Sequence, residues 1–235
     1  MKTEIKYAPA TLSDVIYPNK ATELRIQAFA AGDLEGNILL YGPNGAGKTT
    51  VASLLPYAIS GTDAYVEDKD FDKVLKQSDI KSYLKKACSM SNLFGSSKFF
   101  MVFNEFDNAK FNLDKLWNAM DSIQEELMVI ITTNNPTQVH QSIRSRCTLI
   151  EMPALSPQAL LARSQYILKT EGLVLPDKQV LHYLTSKQHT GDIRQYMGLL
   201  DELLFLDRSG LSMPNWKTSP STRIASVPTL RVVPT

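Results

Sequence analysis

An eight-residue, glycine-rich stretch is the feature that most constrains how this chain can fold. It reads Gly42-Pro43-Asn44-Gly45-Ala46-Gly47-Lys48-Thr49 and matches the pattern G-x-x-x-x-G-K-[ST] in full. The glycines let the backbone curl so that successive N–H groups point at a phosphate, and a helix N-terminus behind them adds its dipole. Lys48 is then expected to reach the β- and γ-phosphates of a nucleotide, and the Thr49 hydroxyl to bind Mg²⁺. Together with Thr50, these residues form the predicted phosphate-binding loop.

The residues around this loop predict a parallel β-sheet. A short apolar run, Asn37–Tyr41, precedes the loop. A helix is expected to begin at Lys48, and Pro56 is expected to kink it or to end it early. Further apolar runs lie at Phe99–Phe103, 127–131 and 148–150. Buried strands that alternate with helical stretches indicate an α/β fold, in which helices cover both faces of a parallel sheet.

Polar residues follow the second of these runs directly, in the order Asn104-Glu105-Phe106-Asp107. In P-loop ATPases this strand usually ends in Asp-Glu, where the first acid holds Mg²⁺ through water and the second activates the attacking water. Glu105 occupies the position of the catalytic base. Asn104 can still hydrogen-bond a metal-bound water but lacks the negative charge, and Asp107 is close enough to compensate in part. The predicted metal-binding residues are therefore Thr49, Asn104 and Asp107, and ATP hydrolysis is expected to be slow.

Four further segments surround the phosphate-binding loop in a fixed order. They are residues 6–16 (KYAPATLSDVI), 130–134 (IITTN), 145–147 (SRC) and 191–194 (GDIR). With the loop, they make residues 6 to 205 resemble the AAA+ ATPases of sliding-clamp loaders, such as the small subunits of replication factor C and the bacterial γ-type loader. The zinc-binding cysteines of the bacterial loader are absent, so the replication-factor and phage-like branches fit better. The resemblance implies ATP as the nucleotide and a P-loop AAA+ fold.

The resemblance also implies a role for each segment. The residues it places around the adenine base are Tyr7, Pro9, Val15 and Ile16. Asn134 is expected to touch the γ-phosphate or the attacking water, as the sensor-1 residue of the family does. Arg146 is expected to reach into the ATP site of a neighbouring subunit, and Arg194 to act as sensor 2. Glu105, Asn134, Arg146 and Arg194 are thus the predicted catalytic residues.

After the last apolar run the pattern changes from alternating strands and helices to helices only, which predicts two domains. Residues 1–153 are expected to form the nucleotide-binding domain, and residues 154–208 a small lid domain of three helices. Ser156-Pro157 supplies an N-cap and a first helical residue, a second helix follows Pro176, and a third begins near Asp192. Residues 209–235 are rich in Pro, Ser and Thr, which is typical of a disordered or partner-binding tail. The helical collar domain of the family is not expected, because only this tail follows.

The charge pattern bears on macromolecular partners. The formal net charge of +1 argues against a wholly basic surface, although a local patch can still bind phosphates. A helix predicted over residues 79–90 carries Lys81, Lys85 and Lys86, and the resemblance places the corresponding helix against duplex DNA. The expected partners are neighbouring AAA+ subunits, primed DNA and a sliding clamp. No apolar run approaches about 18 residues, so a cytoplasmic protein without a membrane-spanning segment is expected.

Three functions are consistent with these residues. The first is an ATP-driven subunit of a clamp-loader-like assembly in DNA replication, in which ATP bridges neighbouring subunits and hydrolysis releases the load. The second is a nucleotide-gated scaffold or regulator that hydrolyses ATP slowly or not at all, as Asn104 would allow. The third is a small-molecule P-loop kinase, which would leave Asn134, Arg146 and Arg194 without a role.

Overall fold

Five strands in the described part of the chain pair side by side, all of them parallel. The computed structural model describes residues 2–61, 64–68, 80–93, 95, 98–106 and 113–215. The strands are β1 (Asn37–Tyr41), β2 (Tyr65–Asp68), β3 (Phe99–Phe103), β4 (Leu127–Thr133) and β5 (Cys147–Glu151). Their order across the sheet is β2-β3-β4-β1-β5. Since parallel strands end at the same edge, the residues that follow β1, β3 and β4 meet there.

Helices connect the strands and continue beyond them. They are α1 (Thr3–Lys6), α2 (Lys20–Ala31), α3 (Lys48–Ser60), α4 (Ile80–Leu93), α5 (Leu113–Ser122), α6 (Gln141–Arg144), α7 (Pro157–Thr170), α8 (Asp177–Ser186) and α9 (Ile193–Arg208). Short 3-10 turns occupy Leu12–Asp14 and Pro136–Gln138. Helix α2 begins as its sequence indicates, because the Asn19 side chain accepts a hydrogen bond from the Thr22 N–H. Ser156 caps α7 in the same way through the Ala159 N–H.

Both faces of the sheet are buried under helices. Alternate strand residues, such as Met101 and Val129, pack with Leu84 of α4 and Leu116 of α5. On the opposite face the core residues of the strands and of α2 and α3 are Ile38, Leu40, Phe100, Val102, Ile130, Ile26, Phe29, Val51 and Leu55. A sheet covered on both sides explains why its strands are continuous apolar runs. The predicted α/β fold, a parallel sheet with helices on both faces, is confirmed.

Two local features differ from the prediction. Helix α3 continues past Pro56 to Ser60, so the proline does not end the helix early, which was one of its two expected effects. A kink, the other expected effect, stays a prediction. Proline has a helix-compatible φ, but its ring removes one backbone hydrogen bond and crowds the carbonyl four residues earlier. Pro56 itself is buried, so core packing accompanies the helix across this position. Strand β2 was not predicted, because it has only four residues at the sheet edge and two of them are acidic.

The last three described helices form a hydrophobic cluster of their own. Leu160 and Ile167 of α7, Leu184 of α8, and Tyr196 and Leu200 of α9 are all buried in it. These helices begin where the sequence indicates, but their assignment to a separate lid domain stays a prediction. The tail beyond residue 215 lies outside the described residues. No helix among the described residues combines the length and apolar character needed to cross a membrane.

Candidate nucleotide-binding site

The phosphate-binding loop fits closely between two neighbouring segments. A Cβ atom on Gly42, whose φ is 148°, would lie 2.0 Å from the carbonyl oxygen of Met152. A Cβ atom on Gly45, at φ 70°, would lie 1.8 Å from Oδ1 of Asp192. Both positions therefore need glycine for space as well as for backbone angle. The loop also packs against the start of α9, where the Ile193 N–H donates to the Gly45 carbonyl at 3.1 Å.

Lys48 connects this loop to the carboxyl end of strand β4. Its side chain is buried at the start of α3, and its Nζ donates to the carbonyl oxygens of Gly42 (2.8 Å) and Pro43 (2.7 Å). The same Nζ donates to Oδ1 of Asn134, the residue that follows β4, at 2.9 Å. These acceptors compensate the ammonium for its removal from water. Anionic phosphate oxygens are stronger acceptors, so a nucleotide can displace them.

The residues after β3 are organised by a buried threonine on β4. Thr132 is 1% exposed; its Oγ1 donates to Oδ1 of Asn104 at 3.2 Å and accepts from the Glu105 N–H at 3.1 Å. Glu105 has a φ of 54°, a left-handed backbone conformation that residues other than glycine rarely adopt. Such a conformation persists where the surroundings impose it, and it is common at functional sites. Asp107, the third predicted metal ligand, lies outside the described residues.

These groups open onto one cavity of about 440 Å³, a volume that suits a nucleotide-sized ligand. Its wall comprises Glu4, Tyr7, Ala8, Pro9, Asp14, Val15, Ile16, Asn44, Gly45, Ala46, Gly47, Lys48, Thr49, Thr50, Glu105, Thr132, Thr133, Asn134, Arg163, Ile193, Arg194 and Met197. Three residues predicted for the site, Gly42, Pro43 and Asn104, are not part of this wall. The structure thus brings the predicted adenine, phosphate and sensor residues together, and their individual roles stay predictions.

The segment predicted to bind adenine is fastened to α7 through Tyr7. The Tyr7 hydroxyl donates to Oε1 of Glu171 at 2.7 Å, and its carbonyl accepts from Nη2 of Arg163 at 3.0 Å. Lys6 and Arg208 also donate to the Glu171 carboxylate. Hydrogen bonds from Lys6, Tyr7 and Arg208 lower the pKa of Glu171 to about 2. Glu171 is therefore an ionised anchor that joins the N-terminal segment to the last described helix.

Two arginines from the helices after the sheet line the cavity. Arg194 was predicted; its Nε lies 3.3 Å from Oδ1 of Asp192, and its side chain is 59% exposed. Arg163 was missed, because no recognisable motif contains it and its bond to Tyr7 joins residues 156 positions apart. The only feature of the sequence that could have drawn attention to Arg163 is that it is the single arginine of α7.

Arg146 lies outside the cavity wall, directly before β5, an outer strand of the sheet. Its Nε and Nη2 donate to the two carboxylate oxygens of Asp121, each at 2.6 Å, and its Nη1 donates to the Ser142 carbonyl at 2.7 Å. The hydrogen bond from Arg146 lowers the pKa of the Asp121 carboxyl. The structure therefore does not place Arg146 beside the phosphate-binding loop of its own chain.

The three lysines predicted to contact DNA are exposed on α4, outside the cavity wall. Lys81, Lys85 and Lys86 occupy the solvent side of the helix, while Leu84 and Cys88 on the opposite side are buried in the core. This arrangement leaves the ammonium groups accessible. Contact with DNA stays a prediction.

Comparison with known proteins identifies a family that matches part of this chain. Residues 38–153 match the ATPase family associated with various cellular activities (AAA). The replication factor C large subunit of Thermococcus kodakarensis is 28% identical over 80% of this chain and 38% of its own length. The sliding-clamp-loader large subunit of Enterobacteria phage T4 is 27% identical over 84% of this chain and 63% of its own length. The chain thus spans less than two thirds of either relative.

A solved structure supports the fold. A RuvB variant from Thermotoga maritima superposes with a TM-score of 0.67 over 88% of this chain and 69% of its own, at 16% sequence identity. At this identity the likeness concerns the fold alone. The likeness agrees with the parallel sheet and the helices that cover it. Residues 38–153, which contain the P-loop and the residues after β3 and β4, therefore form an AAA ATPase domain.

Proposed function

We propose that this chain is an ATP-binding and ATP-hydrolysing subunit of a clamp-loader-like assembly that acts on primed DNA during replication. The observation that carries the proposal is the convergence of Lys48, Asn134 and Glu105 on one cavity. Relatives named as replication factor C and sliding-clamp-loader subunits support the assignment to replication.

Each of these groups has a chemical task in phosphoryl transfer. Lys48 neutralises charge on the β- and γ-phosphates, while the backbone N–H groups of residues 44–49 hold their oxygens. Glu105 orients and deprotonates the attacking water. Its left-handed backbone conformation sets the direction in which its side chain leaves the main chain. Asn134 polarises the γ-phosphate or positions the water. Catalysis then depends on positioning and electrostatics, with no covalent intermediate on the protein.

The residues at the cavity also fit Mg²⁺, which prefers oxygen ligands and retains several waters. Thr49 lines the cavity. Asn104 precedes Glu105 in the chain but does not line the cavity, and it offers a neutral amide oxygen where a carboxylate usually stands. Bound Mg²⁺ would offset the negative charge of the phosphates, but one protein charge that usually faces it is missing here. We therefore propose slow turnover.

Assembly into an oligomer is supported by the position of Arg146. An arginine at an edge of the fold, outside the cavity of its own chain, can serve the site of a neighbour. Its present partner, Asp121, holds the guanidinium near the surface. There it is accessible to the nucleotide site of a neighbouring subunit. On the same proposal, Lys81, Lys85 and Lys86 contact DNA phosphates and carry no base specificity. Helices α7–α9 act as the lid over the nucleotide.

A second function, the nucleotide-gated scaffold, is favoured by Asn104 alone. If the missing charge prevents useful hydrolysis, ATP binding would hold subunits together without being consumed. Both functions share the same nucleotide site. They differ in turnover and in its response to DNA.

Steady-state phosphate release, with and without primed duplex DNA, tests the proposal. Wild-type protein should bind MgATP and release phosphate slowly, with stimulation by DNA. Asn104→Asp should be faster, because it restores the charge near Mg²⁺, and Lys48→Ala is the control without a nucleotide site. Tight binding without turnover in both wild type and Asn104→Asp would support the scaffold. Failure of the wild type to bind MgATP would overturn both functions.

A further inference from the structure

One wall of the cavity is a segment that spans two separate parts of the hydrophobic core. We call residues 8–16 the N-terminal strap; five of them line the cavity. Towards its end, Leu12 and Val15 pack against the cluster shared by the sheet, α2 and α3. Immediately before the strap, Tyr7 packs against the cluster formed by α7, α8 and α9, and Ile16 at the far end of the strap packs against the same cluster. The end of the strap is therefore fixed by core packing, and the position of its beginning depends on how Tyr7 is held.

Helix α7 holds Tyr7 at three points. Glu171, just after the helix, accepts a hydrogen bond from the Tyr7 hydroxyl, and the ring of Tyr166 meets the Tyr7 ring edge-on at 6.2 Å. These two contacts fix the side chain. Arg163 instead fixes the main chain, because its Nη2 donates to the Tyr7 carbonyl at 3.0 Å. The bond lies directly before the first residue of the strap, so it fixes the backbone from which Ala8 and Pro9 continue.

We propose that Arg163 is a positioning residue for the base end of the nucleotide, acting by locking the Tyr7 carbonyl and with it the N-terminal strap. This inference deepens the proposed function and rests on the cavity being an ATP site. The strap supplies Pro9, Val15 and Ile16, whose apolar surfaces suit the flat faces of a base. The phosphates are held elsewhere in the cavity, by the loop and Lys48. Loss of Arg163 should therefore weaken recognition of the base and leave the phosphate subsite intact.

Inorganic tripolyphosphate separates the two ends of the site, because it carries the phosphates of ATP without a base. Calorimetric titrations with MgATP and with magnesium tripolyphosphate should be compared for wild type and Arg163→Met. A hydrogen bond from a charged group commonly contributes enough for roughly a tenfold change in affinity. Arg163→Met should thus weaken ATP binding about tenfold and change tripolyphosphate binding less than about twofold. Arg163→Lys, which keeps one donor, should recover part of the loss.

A matched control is available on α2. Arg25 is exposed and its Nη1 donates to the Leu149 carbonyl at 3.2 Å, so it too holds a main-chain oxygen, but it does not line the cavity. Arg25→Met should leave both titrations unchanged. If Arg163→Met weakens tripolyphosphate as much as ATP, Arg163 contacts phosphate and the positioning role is overturned. Unchanged ATP binding in Arg163→Met would overturn it as well.

Hydrogen exchange on the nucleotide-free chain provides a readout that does not depend on ATP. Amides of the N-terminal strap should exchange faster in Arg163→Met than in wild type or Arg25→Met, while amides of β1 and β4 stay protected. If wild type binds neither ligand, the proposed function fails, and the exchange of the strap still decides whether Arg163 holds it. Equal strap exchange in all three proteins would overturn the inference.

Discussion

Nζ of Lys48 lies 2.9 Å from Oδ1 of Asn134 and donates a hydrogen bond to it, which joins the phosphate-binding loop to the carboxyl end of β4. The contact links two residues that are 86 positions apart in the chain. It places an ammonium and an amide side by side at the point where our proposal puts the γ-phosphate. The two groups should nevertheless contribute differently, since only Lys48 carries a charge.

Asn134→Ala should separate nucleotide binding from turnover. The substitution removes one acceptor of Lys48 and a polar group at the γ-phosphate, but it leaves the charge and the loop amides in place. We expect the affinity for ATP to change little and kcat to fall on the order of 10²-fold. Lys48→Ala should instead weaken ATP binding more than about tenfold. Calorimetry and steady-state phosphate release measure the two quantities, and a full kcat in Asn134→Ala would contradict the sensor role.

Glu105 should show a conflict between stability and function. At a φ of 54° the residue is in the left-handed region, where glycine has no steric cost and other residues typically lose about 1 kcal/mol. Glu105→Gly should therefore be more stable than Glu105→Ala by about 1 kcal/mol in urea unfolding. Glu105→Gln keeps the size of the side chain and removes its charge. All three variants should bind MgATP and lack turnover; equal stability of the Gly and Ala variants would show that the backbone carries no strain.

Much of the fold follows from local patterns. The strand Phe99–Phe103 is buried at every residue, so its continuous apolar run identifies it without ambiguity. Caps such as Asn19 and Ser156 mark helix starts because their effect is confined to one turn. Strand β2 escaped prediction because edge strands need less apolar surface. Pro56 does not end α3, and the sequence alone could not decide this, because the core packing around the helix depends on tertiary contacts.

The site was predictable only where its residues lie in short motifs. The phosphate-binding loop needs glycines at fixed positions, and that requirement is visible in eight consecutive letters. The contact of Gly45 with Asp192 and the bond from Arg163 to Tyr7 depend on chain segments that meet only after folding. Arg163 was missed for this reason. The pairing of Arg146 with Asp121 is likewise a property of the tertiary structure.

The Glu171 anchor predicts how stability depends on pH. Its pKa is lowered from 4.5 to about 2 by hydrogen bonds from Lys6, Tyr7 and Arg208. Its stabilising contribution is therefore fully present above the unfolded-state pKa and is lost as pH falls towards 2. Wild type should have a higher Tm than Glu171→Gln at neutral pH, and the difference should shrink between pH 4.5 and about 2. Thermal melts of both proteins across this range measure it.

A Tm difference between wild type and Glu171→Gln that stays constant across the acid range would contradict the lowered pKa. Asp33→Asn is a suitable control, because Asp33 is an exposed carboxylate outside the cavity wall. Its Tm difference from wild type should not follow the titration of Glu171.

Arg146 should act in trans, since its guanidinium is bound to Asp121 and lies outside the cavity wall of its own chain. Arg146→Ala should leave the ATP affinity of an isolated subunit nearly unchanged and remove stimulated hydrolysis. An arginine supplied by a neighbour can contribute roughly 10³ to 10⁵ in rate, by analogy with GTPase activation. Phosphate release measured against protein concentration tests this, because a contribution from a neighbour requires assembly.

Mixing two inactive variants gives the decisive form of the Arg146 prediction. An Arg146→Ala subunit keeps a working phosphate-binding loop, and a Lys48→Ala subunit keeps its arginine. Where the second lies beside the first, one complete site is restored, so the mixture should regain part of the wild-type rate while each variant alone stays inactive. Size-exclusion chromatography with light scattering establishes that the subunits co-assemble. A mixture that co-assembles but remains as inactive as either parent, under conditions where wild type turns over ATP, would show that Arg146 does not serve a neighbouring site.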